Sequence, residues 1–276
     1  MNCFVVVLLP LALAFDHEAM QWVPQQQTTP FKSIAFMGGS LTRYQYLSLA
    51  YFVTHGTWID PRTKPNLVVE GDHASWNAFY NATTTAYEGF EKCDCYRSQK
   101  WDLKSITENR YYVAPHWNLY YIQAFGSIPS HGHWNPLVLP STQPPFKRNA
   151  SFMWEYDWPN TILNHVALLR PKPQWIVLNA GHWANDFNNP EYRTRVIQAI
   201  RDAGIKSIWK TTTYTRQDAL TPTQLETDHQ MCAMTTSCLN LSWTRNVGAS
   251  DYWDGLHFKE PIYQRMNEQL FTIVGH

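Results

Sequence analysis

One stretch, residues 33–52, constrains the fold of this chain more than any other. It reads SIAFMGGSLTRYQYLSLAYF, in which a short apolar run meets Gly38 and Gly39 and then changes into a pattern typical of a helix. The two glycines allow backbone conformations and close approaches that other residues resist. Ser40 then stands at a helix N-terminus, either as the N-cap of that helix or as a nucleophile. The stretch predicts a strand, a tight turn and a helix that runs to about Thr54.

The rest of the chain repeats this rhythm. Further strands are predicted over 119–124, 175–178 and 205–212, and further helices over 158–169, 190–203 and 261–273. Such alternation is typical of a parallel sheet with helices on both faces, so we expect a three-layer α/β/α sandwich with a central parallel sheet. Three segments lack a clear periodic spacing of apolar residues. The first, about 55–105, is interpreted as an irregular insertion held by two cysteines. The second, 129–145, is interpreted as a loop, and the third, 216–250, as a loop with a short helix.

Length and charge narrow the possible classes of protein. The 276 residues fit one large domain, expected over 33–276. Basic and acidic residues number 22 each, so no net charge favours nucleic acid or acidic lipid as a partner. The 13 Trp and 15 Tyr residues predict either a heavily packed core or exposed platforms for sugar rings. The candidate platforms, each more commonly a core or rim residue, are Trp76, Trp117, Trp134 and Trp183.

The N-terminus has the pattern of a secretory signal peptide. An apolar stretch over 3–15 carries the small-residue cleavage pattern Ala12-Leu13-Ala14, although no Lys or Arg precedes it. Its 13 residues are too few for an ordinary membrane span. We therefore expect a signal peptide over 1–14, an extended lead-in over 15–32 and a secreted protein with no stable span after cleavage. The lumen of the secretory pathway is the alternative location.

Cysteines and glycosylation motifs agree with that compartment. Cleavage would remove Cys3 and leave an even number of cysteines, which predicts two disulfides with three possible connectivities. The cysteines concerned are Cys93, Cys95, Cys232 and Cys238. The spacing of the first two does not suit a structural zinc site. Candidate N-glycosylation sites are Asn81, Asn149 and Asn240.

Polar residues capable of chemistry gather in three segments. They are Gly38-Gly39-Ser40, the stretch NAGHW at 179–183 and the stretch DYWDGLHF at 251–258. Active sites of parallel α/β sheets collect at the carboxyl ends of the strands, where the three segments are predicted to lie, the third of them before the final helix. Asp254 and His257 are three residues apart, so one turn can place the carboxylate against the imidazole. With Ser40 they supply an orienting group, a base and a nucleophile.

The stretches GGSLTRYQYLSL, NAGHW and DGLHF, in this order, resemble three blocks of the SGNH/GDSL hydrolase superfamily. More narrowly, they resemble the branch that contains plant trichome-birefringence-like polysaccharide O-acetyltransferases and related PC-esterase domains. The resemblance covers the chain from about residue 31 to the C-terminus. It implies a serine acyl-transfer enzyme, an acetylesterase or an O-acetyltransferase, that works without a cofactor or metal. Its partners would be a carbohydrate or polysaccharide substrate and an acyl donor.

The resemblance also implies residue roles. Ser40 would be the nucleophile, His257 its base and Asp254 the group that orients the imidazole. The backbone N–H of Ser40 would contribute to the oxyanion hole, with Gly126 as the second donor and Gly71 in reserve. The residues expected to line the site are Gly39, Arg43, Asn179, Gly181, His182 and Trp183.

Several of these positions have alternative roles or depart from the family pattern. Gly39 stands where the family has an aspartate, and Trp183 stands where hydrolytic members have an asparagine that completes the oxyanion hole. Asn179 lies two residues before that position, and the pair Asn185-Asp186 lies two residues after it. Arg43 could hold the turn or face an anionic or carbohydrate group, and His182 is either structural or part of the site.

Two further hypotheses remain at this level. His131 and His133 form an HxH pair, which without a third ligand is more often a loop with two surface histidines than a metal site. The aromatic content, together with Gly39 in place of the aspartate, also allows a non-catalytic carbohydrate-binding protein on the same fold.

Overall fold

The computed structural model describes residues 32–97, 106–137 and 154–275. The predicted signal peptide, the lead-in as far as residue 31 and the candidate glycosylation site Asn149 lie outside the described residues.

A twisted sheet forms the centre of the described chain. Its strands are β1 (Lys32–Gly38), β2 (Glu91–Arg97), β3 (Ile106–Val113), β4 (Trp117–Gln123), β7 (Trp175–Asn179), β8 (Lys206–Lys210) and β9 (Ser237–Leu239). They are ordered β2-β3-β4-β1-β7-β8-β9. The five strands from β4 to β9 in this order are parallel, whereas β2 and β3 are antiparallel to their neighbours. The fold is therefore mixed α/β with a mostly parallel sheet, as the repeated strand–helix pattern predicts.

Helices cover both faces of this sheet. They are α1 (Ser40–His55), α2 (Trp76–Ala86), α3 (Trp158–Asn164), α4 (Pro190–Ala203), α5 (Pro222–Met234) and α6 (Glu260–Val274). Alternate residues of β1 point to opposite faces: Phe36 packs with α1, α2 and α6, whereas Met37 packs with α3, α4 and α5. This period of two is what a strand buried on both faces requires.

We expected an irregular insertion over 55–105, and its described part, 55–97, is more regular than that. It contains α2 and the edge strand β2, which pairs with β3 in an antiparallel meander. The strands escape pattern recognition because their buried positions are charged. Glu91 in β2 and Glu108 in β3 are fully buried, and each pairs with the equally buried Arg110 of β3. A hydrophobic period cannot appear where ion pairs take the place of apolar side chains.

Smaller differences concern the connections. The helix predicted over 158–169 ends at Asn164 and continues only as a 3₁₀ turn, Val166–Leu168. The predicted loop 129–145 holds β5 (Ser130–Gly132), which pairs with β6 (Trp154–Tyr156) in a separate two-stranded sheet. The segment 216–250 contains α5 and also β9, a strand too short for a periodic signal.

The cysteines take one of the three possible connectivities. Cys93 pairs with Cys95 within β2, and Cys232 at the end of α5 pairs with Cys238 in β9, with Cα–Cα distances of 5.2 and 5.0 Å. Both distances suit disulfides.

Within the three described ranges, none of the helices has the length and apolar character that crossing a membrane requires.

Candidate active site

The three residues predicted to act together meet at the carboxyl edge of the sheet. Ser40 begins α1 directly after β1, and the loop before α6 carries Asp254 and His257. Ser40 Oγ lies 2.7 Å from His257 Nε2, and His257 Nδ1 lies 2.8 Å from Asp254 Oδ2. Both distances are those of good hydrogen bonds. The result is a continuous hydrogen-bonded chain from a carboxylate through an imidazole to a hydroxyl.

Asp254 fixes both the loop and the ring. Its Oδ1 accepts hydrogen bonds from the backbone N–H groups of Leu256 and His257, each at 2.7 Å. Partial burial opposes ionisation of this carboxyl, but these bonds and the imidazole together hold its pKa below the ordinary value. Because an ionised carboxylate only accepts, His257 Nδ1 carries the hydrogen. Nε2 is then free to accept the proton of the Ser40 hydroxyl.

Aromatic packing holds the His257 ring from the side. The Tyr44 ring meets it edge to face, with centroids 5.1 Å apart, and in turn packs against Tyr263 of α6 at 5.6 Å. Tyr44 lies one turn along α1 from Ser40. The same helix therefore supplies the hydroxyl and a wall for its partner, and no sequence motif had indicated this role for Tyr44.

The start of α1 offers backbone donors. The N–H groups of Thr42 and Arg43 already bond to the carbonyl of Gly39, whereas the N–H of Ser40, at the first helical position, has no acceptor within the helix. The helix dipole also favours negative charge at this end. An oxyanion formed beside Ser40 Oγ would thus meet a favourable environment.

The two glycines of the turn have different roles. A Cβ on Gly38 would lie 2.5 Å from the Asn179 carbonyl oxygen and 2.7 Å from Thr42 Oγ1, so close approach of the backbones requires glycine there. A Cβ on Gly39 would make ordinary contacts of 3.5 Å with the rings of Phe125 and Trp183. Aromatic rings therefore occupy the space beside Gly39, where the resembling family has a carboxylate.

A small cavity of about 10 Å³ opens beside the hydroxyl of Ser40, enough for about one water molecule. Its lining is Gly39, Ser40, Leu41, Asn179, Ala180, Gly181, His182, Trp183 and Leu256. Trp183 is 38% exposed at its mouth. Five of the six predicted lining residues are thus present, and Leu41, Ala180 and Leu256 are additions to the predicted set.

Arg43, the sixth, is not part of this lining. Its guanidinium is 3% exposed and forms ion pairs with Glu108 at 3.1 Å and Glu70 at 3.2 Å. Glu108 also pairs with Arg110, which binds Glu91. Of the two alternatives for Arg43, holding the turn or facing an anionic or carbohydrate group, these contacts favour the first. Arg43 instead ties α1 to β3, a link between residues 65 positions apart that no local pattern reveals.

Asn179 lines the cavity with its amide already engaged. Its Nδ2 donates to the Lys210 carbonyl at 2.9 Å, and its Oδ1 accepts from Thr42 Oγ1 at 3.4 Å. Lys210 itself is buried, donates from Nζ to the Leu41 carbonyl at 3.1 Å, and has its pKa lowered to about 7 by burial. These bonds brace the turn, so the Asn179 amide is not a free oxyanion donor.

The remaining candidates for an oxyanion donor are glycines. Gly126 has φ of 41° and packs so closely on the Trp183 carbonyl that a Cβ would overlap it, and it is not among the cavity-lining residues. Gly71 belongs to an exposed 3₁₀ turn, Glu70–Asp72. The assignment of Gly126 or Gly71 to the oxyanion hole remains a prediction.

His182 lies in the wall of the cavity. Burial lowers its pKa, and its Nδ1 is 3.3 Å from Nε2 of Gln224 on α5. In the described chain, no hydrogen bond joins His182 to Ser40. His182 instead links the loop after β7 to α5. Beyond it, Asp186 lies in the 3₁₀ turn Asn185–Asn188.

The HxH pair is placed differently from a surface loop. His131 is buried in β5, with Nδ1 3.5 Å from Glu155 Oε2, and His133 Nδ1 lies 2.8 Å from Asp94 Oδ1. The expectation of two surface histidines is therefore wrong for His131. Across 32–97, 106–137 and 154–275, no group of three or more metal-ligating side chains comes together.

The other candidate platforms for sugars are rim or packing residues. Trp76 packs on Phe79 and Tyr80, and Trp117 packs beside Phe271. Trp134 contributes its carbonyl to Trp154 Nε1. Of the four tryptophans, Trp183 is the one counted among the exposed large apolar side chains. The candidate glycosylation sites Asn81 and Asn240 are both exposed.

Comparison with protein-family models, with curated proteins and with solved structures finds no match to this chain. Function is therefore inferred from the geometry of the site together with the sequence.

Proposed function

We propose that this protein is a secreted serine acyl-transfer enzyme of the SGNH type, an acetylesterase or O-acetyltransferase that acts on carbohydrate hydroxyls. The observation that carries the proposal is the hydrogen-bonded chain Asp254–His257–Ser40, with its distances of 2.8 and 2.7 Å. Secretion is proposed from the N-terminal sequence, and two cysteine pairs at disulfide distance are compatible with it.

The reaction proceeds in two steps. Ser40 Oγ attacks the ester carbonyl while His257 Nε2 accepts its proton, and Asp254 stabilises the imidazolium. The N–H of Ser40 and the N-terminal dipole of α1 stabilise the oxyanion. Collapse of the intermediate breaks the bond to the alcohol, whose oxygen takes the proton from His257. Water or a sugar hydroxyl, deprotonated by His257, then attacks the carbonyl carbon of the acyl-serine. The bond from that carbon to Ser40 Oγ breaks and Oγ takes the proton back from His257, which regenerates Ser40 and releases the acid or the acylated sugar.

The shape of the site favours a small acyl group. The enclosed space beside Ser40 is about 10 Å³, so even an acetyl group must use the open mouth or move Trp183 or Leu256. The partly exposed ring of Trp183 at this mouth supports a carbohydrate as the alcohol part, because aromatic faces pack well against sugar rings. The resemblance of the three sequence blocks to polysaccharide O-acetyltransferases points the same way.

Substitution of the relay residues tests the proposal. We expect Ser40→Ala and His257→Ala each to lower kcat/KM by at least ~10³-fold, with the double variant no worse than the single ones, because the residues act as a unit. The assay is hydrolysis of p-nitrophenyl acetate and of an acetylated oligosaccharide. The exposed His116, far from the site at the start of β4, provides His116→Ala as a control that should keep full activity. Small, additive losses would contradict the relay.

A strict transferase can be silent toward water, so a second readout is needed. A fluorophosphonate probe reports an activated serine without any acceptor, and peptide mass mapping should place the label on Ser40 in the wild type and not in His257→Ala. If neither label nor turnover is found while the protein binds oligosaccharide, the non-catalytic carbohydrate-binding hypothesis replaces the enzyme. The aromatic rings beside Gly39 are the observation that favours that second hypothesis.

A further inference from the structure

A second cavity lies beside the one at Ser40, along the same edge of the sheet. Strands β1, β7, β8 and β9 are successive parallel neighbours, so their carboxyl ends follow one another. The Ser40 cavity lies where β1 and β7 end. The second cavity, of about 270 Å³, lies where β8 and β9 end and is bordered by α5. With adjacent strands about 4.8 Å apart, the two are separated by roughly 10 Å.

A contact between neighbouring residues connects the surroundings of the two cavities. His182 lines the first, and its Nδ1 lies 3.3 Å from Nε2 of Gln224, the residue before Leu225 in the lining of the second. Thr211 and Thr212, which line the second cavity, directly follow Lys210. Lys210 donates from Nζ to the carbonyl of Leu41, the residue after Ser40. A ligand in the second cavity would therefore lie beside the acyl-transfer site rather than on a remote surface.

Exposed apolar side chains mark the same surface. In the described part of the chain, the large apolar side chains with substantial exposure are Leu137, Leu168, Trp183 and Leu225. Two of these four belong to the cavities: Trp183 to the first and Leu225, 47% exposed, to the second. Apolar groups left in water next to a polar cleft are typical of binding surfaces.

The lining indicates the chemistry of the ligand. The lining of the second cavity combines polar residues, among them Thr211, Asn240 and Ser242, with apolar Leu220 and Leu225 and the Cys232–Cys238 pair. Neither lining includes a Lys or Arg, and the ionisable groups of the second are the exposed imidazole of His229 and the buried carboxyl of Asp228, which accepts from Trp209 Nε1 and the Thr212 N–H. With no Lys or Arg in either lining, an anionic ligand would lack a permanent positive charge to pair with. A lining that mixes polar and apolar side chains suits a ligand with hydroxyls and an apolar ring face.

We infer that the surface from Trp183 through the His182–Gln224 contact to Leu225 is a binding track for an uncharged oligosaccharide. One sugar unit presents its ester or hydroxyl to Ser40, and neighbouring units fill the second cavity. The part of this inference that concerns Ser40 rests on the proposed function, whereas binding along the track does not require turnover.

The test measures binding and turnover separately. Leu225→Lys places a charge on an exposed position of α5 where lysine suits a helix, so the fold should be retained. Leu168→Lys, at a leucine 37% exposed on the 3₁₀ turn after α3, is the matched control. In a Ser40→Ala background, calorimetric titration with a partly acetylated cello-oligosaccharide should show a Kd about 10-fold higher for Leu225→Lys and unchanged for Leu168→Lys.

In the catalytically intact background, we compare kcat/KM for that oligosaccharide with kcat/KM for p-nitrophenyl acetate. This ratio should fall about 10-fold for Leu225→Lys and stay constant for Leu168→Lys. Equal binding by the two lysine variants would overturn the track, whether or not the protein is an enzyme. Tighter binding of an acetylated oligogalacturonate than of the neutral probe would overturn the ligand class. A loss confined to p-nitrophenyl octanoate would make the cavity an acyl-chain pocket and also overturn the inference.

Failure of the proposed function has a different signature. In that case Ser40 takes no fluorophosphonate label and no ester is cleaved, while the two lysine variants still differ in their affinity for the neutral oligosaccharide.

Discussion

Gly38 and Gly39 are adjacent in sequence, yet the space available for a side chain differs between the two positions. The position of Gly38 is decided by the approach of β7 and α1, because an added Cβ would meet the Asn179 carbonyl at 2.5 Å. At Gly39 the backbone has φ of −84°, which any residue can adopt, and an added Cβ would make only ordinary contacts with Phe125 and Trp183. The pair therefore offers a matched comparison within one turn.

We expect Gly38→Ala to shift the start of α1 and to destabilise the protein by about 1–3 kcal/mol, as overpacked sites do. It should also lower activity, since Ser40 follows two residues later. Gly39→Ala should change the free energy of unfolding by less than about 1 kcal/mol and leave Ser40 in place. Urea unfolding and p-nitrophenyl acetate hydrolysis measure the two effects. Equal effects at both positions would show that the turn is not packed as described.

At the scale of elements, α6 carries a buried carboxyl close behind the loop that presents His257. Glu260, at the first position of α6, is 1% exposed and accepts a hydrogen bond from Ser48 of α1. No cation lies within ion-pairing distance of it in the described residues. Burial accordingly raises its pKa to about 8 from the ordinary 4.5.

This shift makes stability depend on pH with a definite sign. Between about pH 4.5 and 8 the folded protein keeps the proton on Glu260 and the unfolded chain has lost it, so stability falls as the pH rises. Glu260→Gln removes the titration. We compare the free energy of unfolding of the variant with that of the wild type at pH 5 and at pH 8. The difference should shift in favour of the variant by about 3 kcal/mol between these two pH values, as measured by urea unfolding. Glu268 is an exposed residue of the same helix, and for Glu268→Gln the difference in free energy of unfolding from the wild type should be the same at both pH values. A constant difference between Glu260→Gln and the wild type would contradict the buried, protonated carboxyl.

Considered as a whole molecule, the protein joins a parallel α/β half to an antiparallel edge through buried charges. Arg110 of β3 is fully buried between Glu91 and Glu108, at 2.9 and 2.8 Å, and Arg43 links Glu108 to α1. The Arg110 and Arg43 guanidinium groups hold the pKa of the Glu108 carboxyl below its ordinary value although burial acts in the opposite direction. The network thus connects the edge strands to the helix that begins with Ser40.

Replacing one residue of this buried ion-pair network should lower the free energy of unfolding, because it leaves buried charge uncompensated. Arg110→Met removes the guanidinium that lies between the buried carboxylates of Glu91 and Glu108, and we expect a loss of about 3–5 kcal/mol in the free energy of unfolding. The control is Arg62→Met at the solvent-exposed pair of Arg62 and Asp60, which should cause no measurable change. Thermal and urea unfolding of both variants provide the comparison. A stable Arg110→Met protein would mean that the network does not hold the edge strands.

The sequence by itself determined the elements whose signals are local. The run from Ser33 to Tyr51, the helix that ends at Gly204 and the three-residue spacing of Asp254 and His257 all depend on neighbours within a few turns. The predicted meeting of Ser40 with His257, 217 positions apart, rested on the shared carboxyl edge of parallel strands together with the resemblance of the three blocks.

Tertiary structure alone decided what depends on distant partners. It turned Arg43 toward Glu108, engaged the Asn179 amide with Lys210 and chose one cysteine pairing out of three. It also made the charged strands β2 and β3 part of the sheet, and it brought His182 against Gln224 between the two cavities. The physical reason is that burial of a polar group is favourable only when its partner is present, and the sequence around that group does not name the partner.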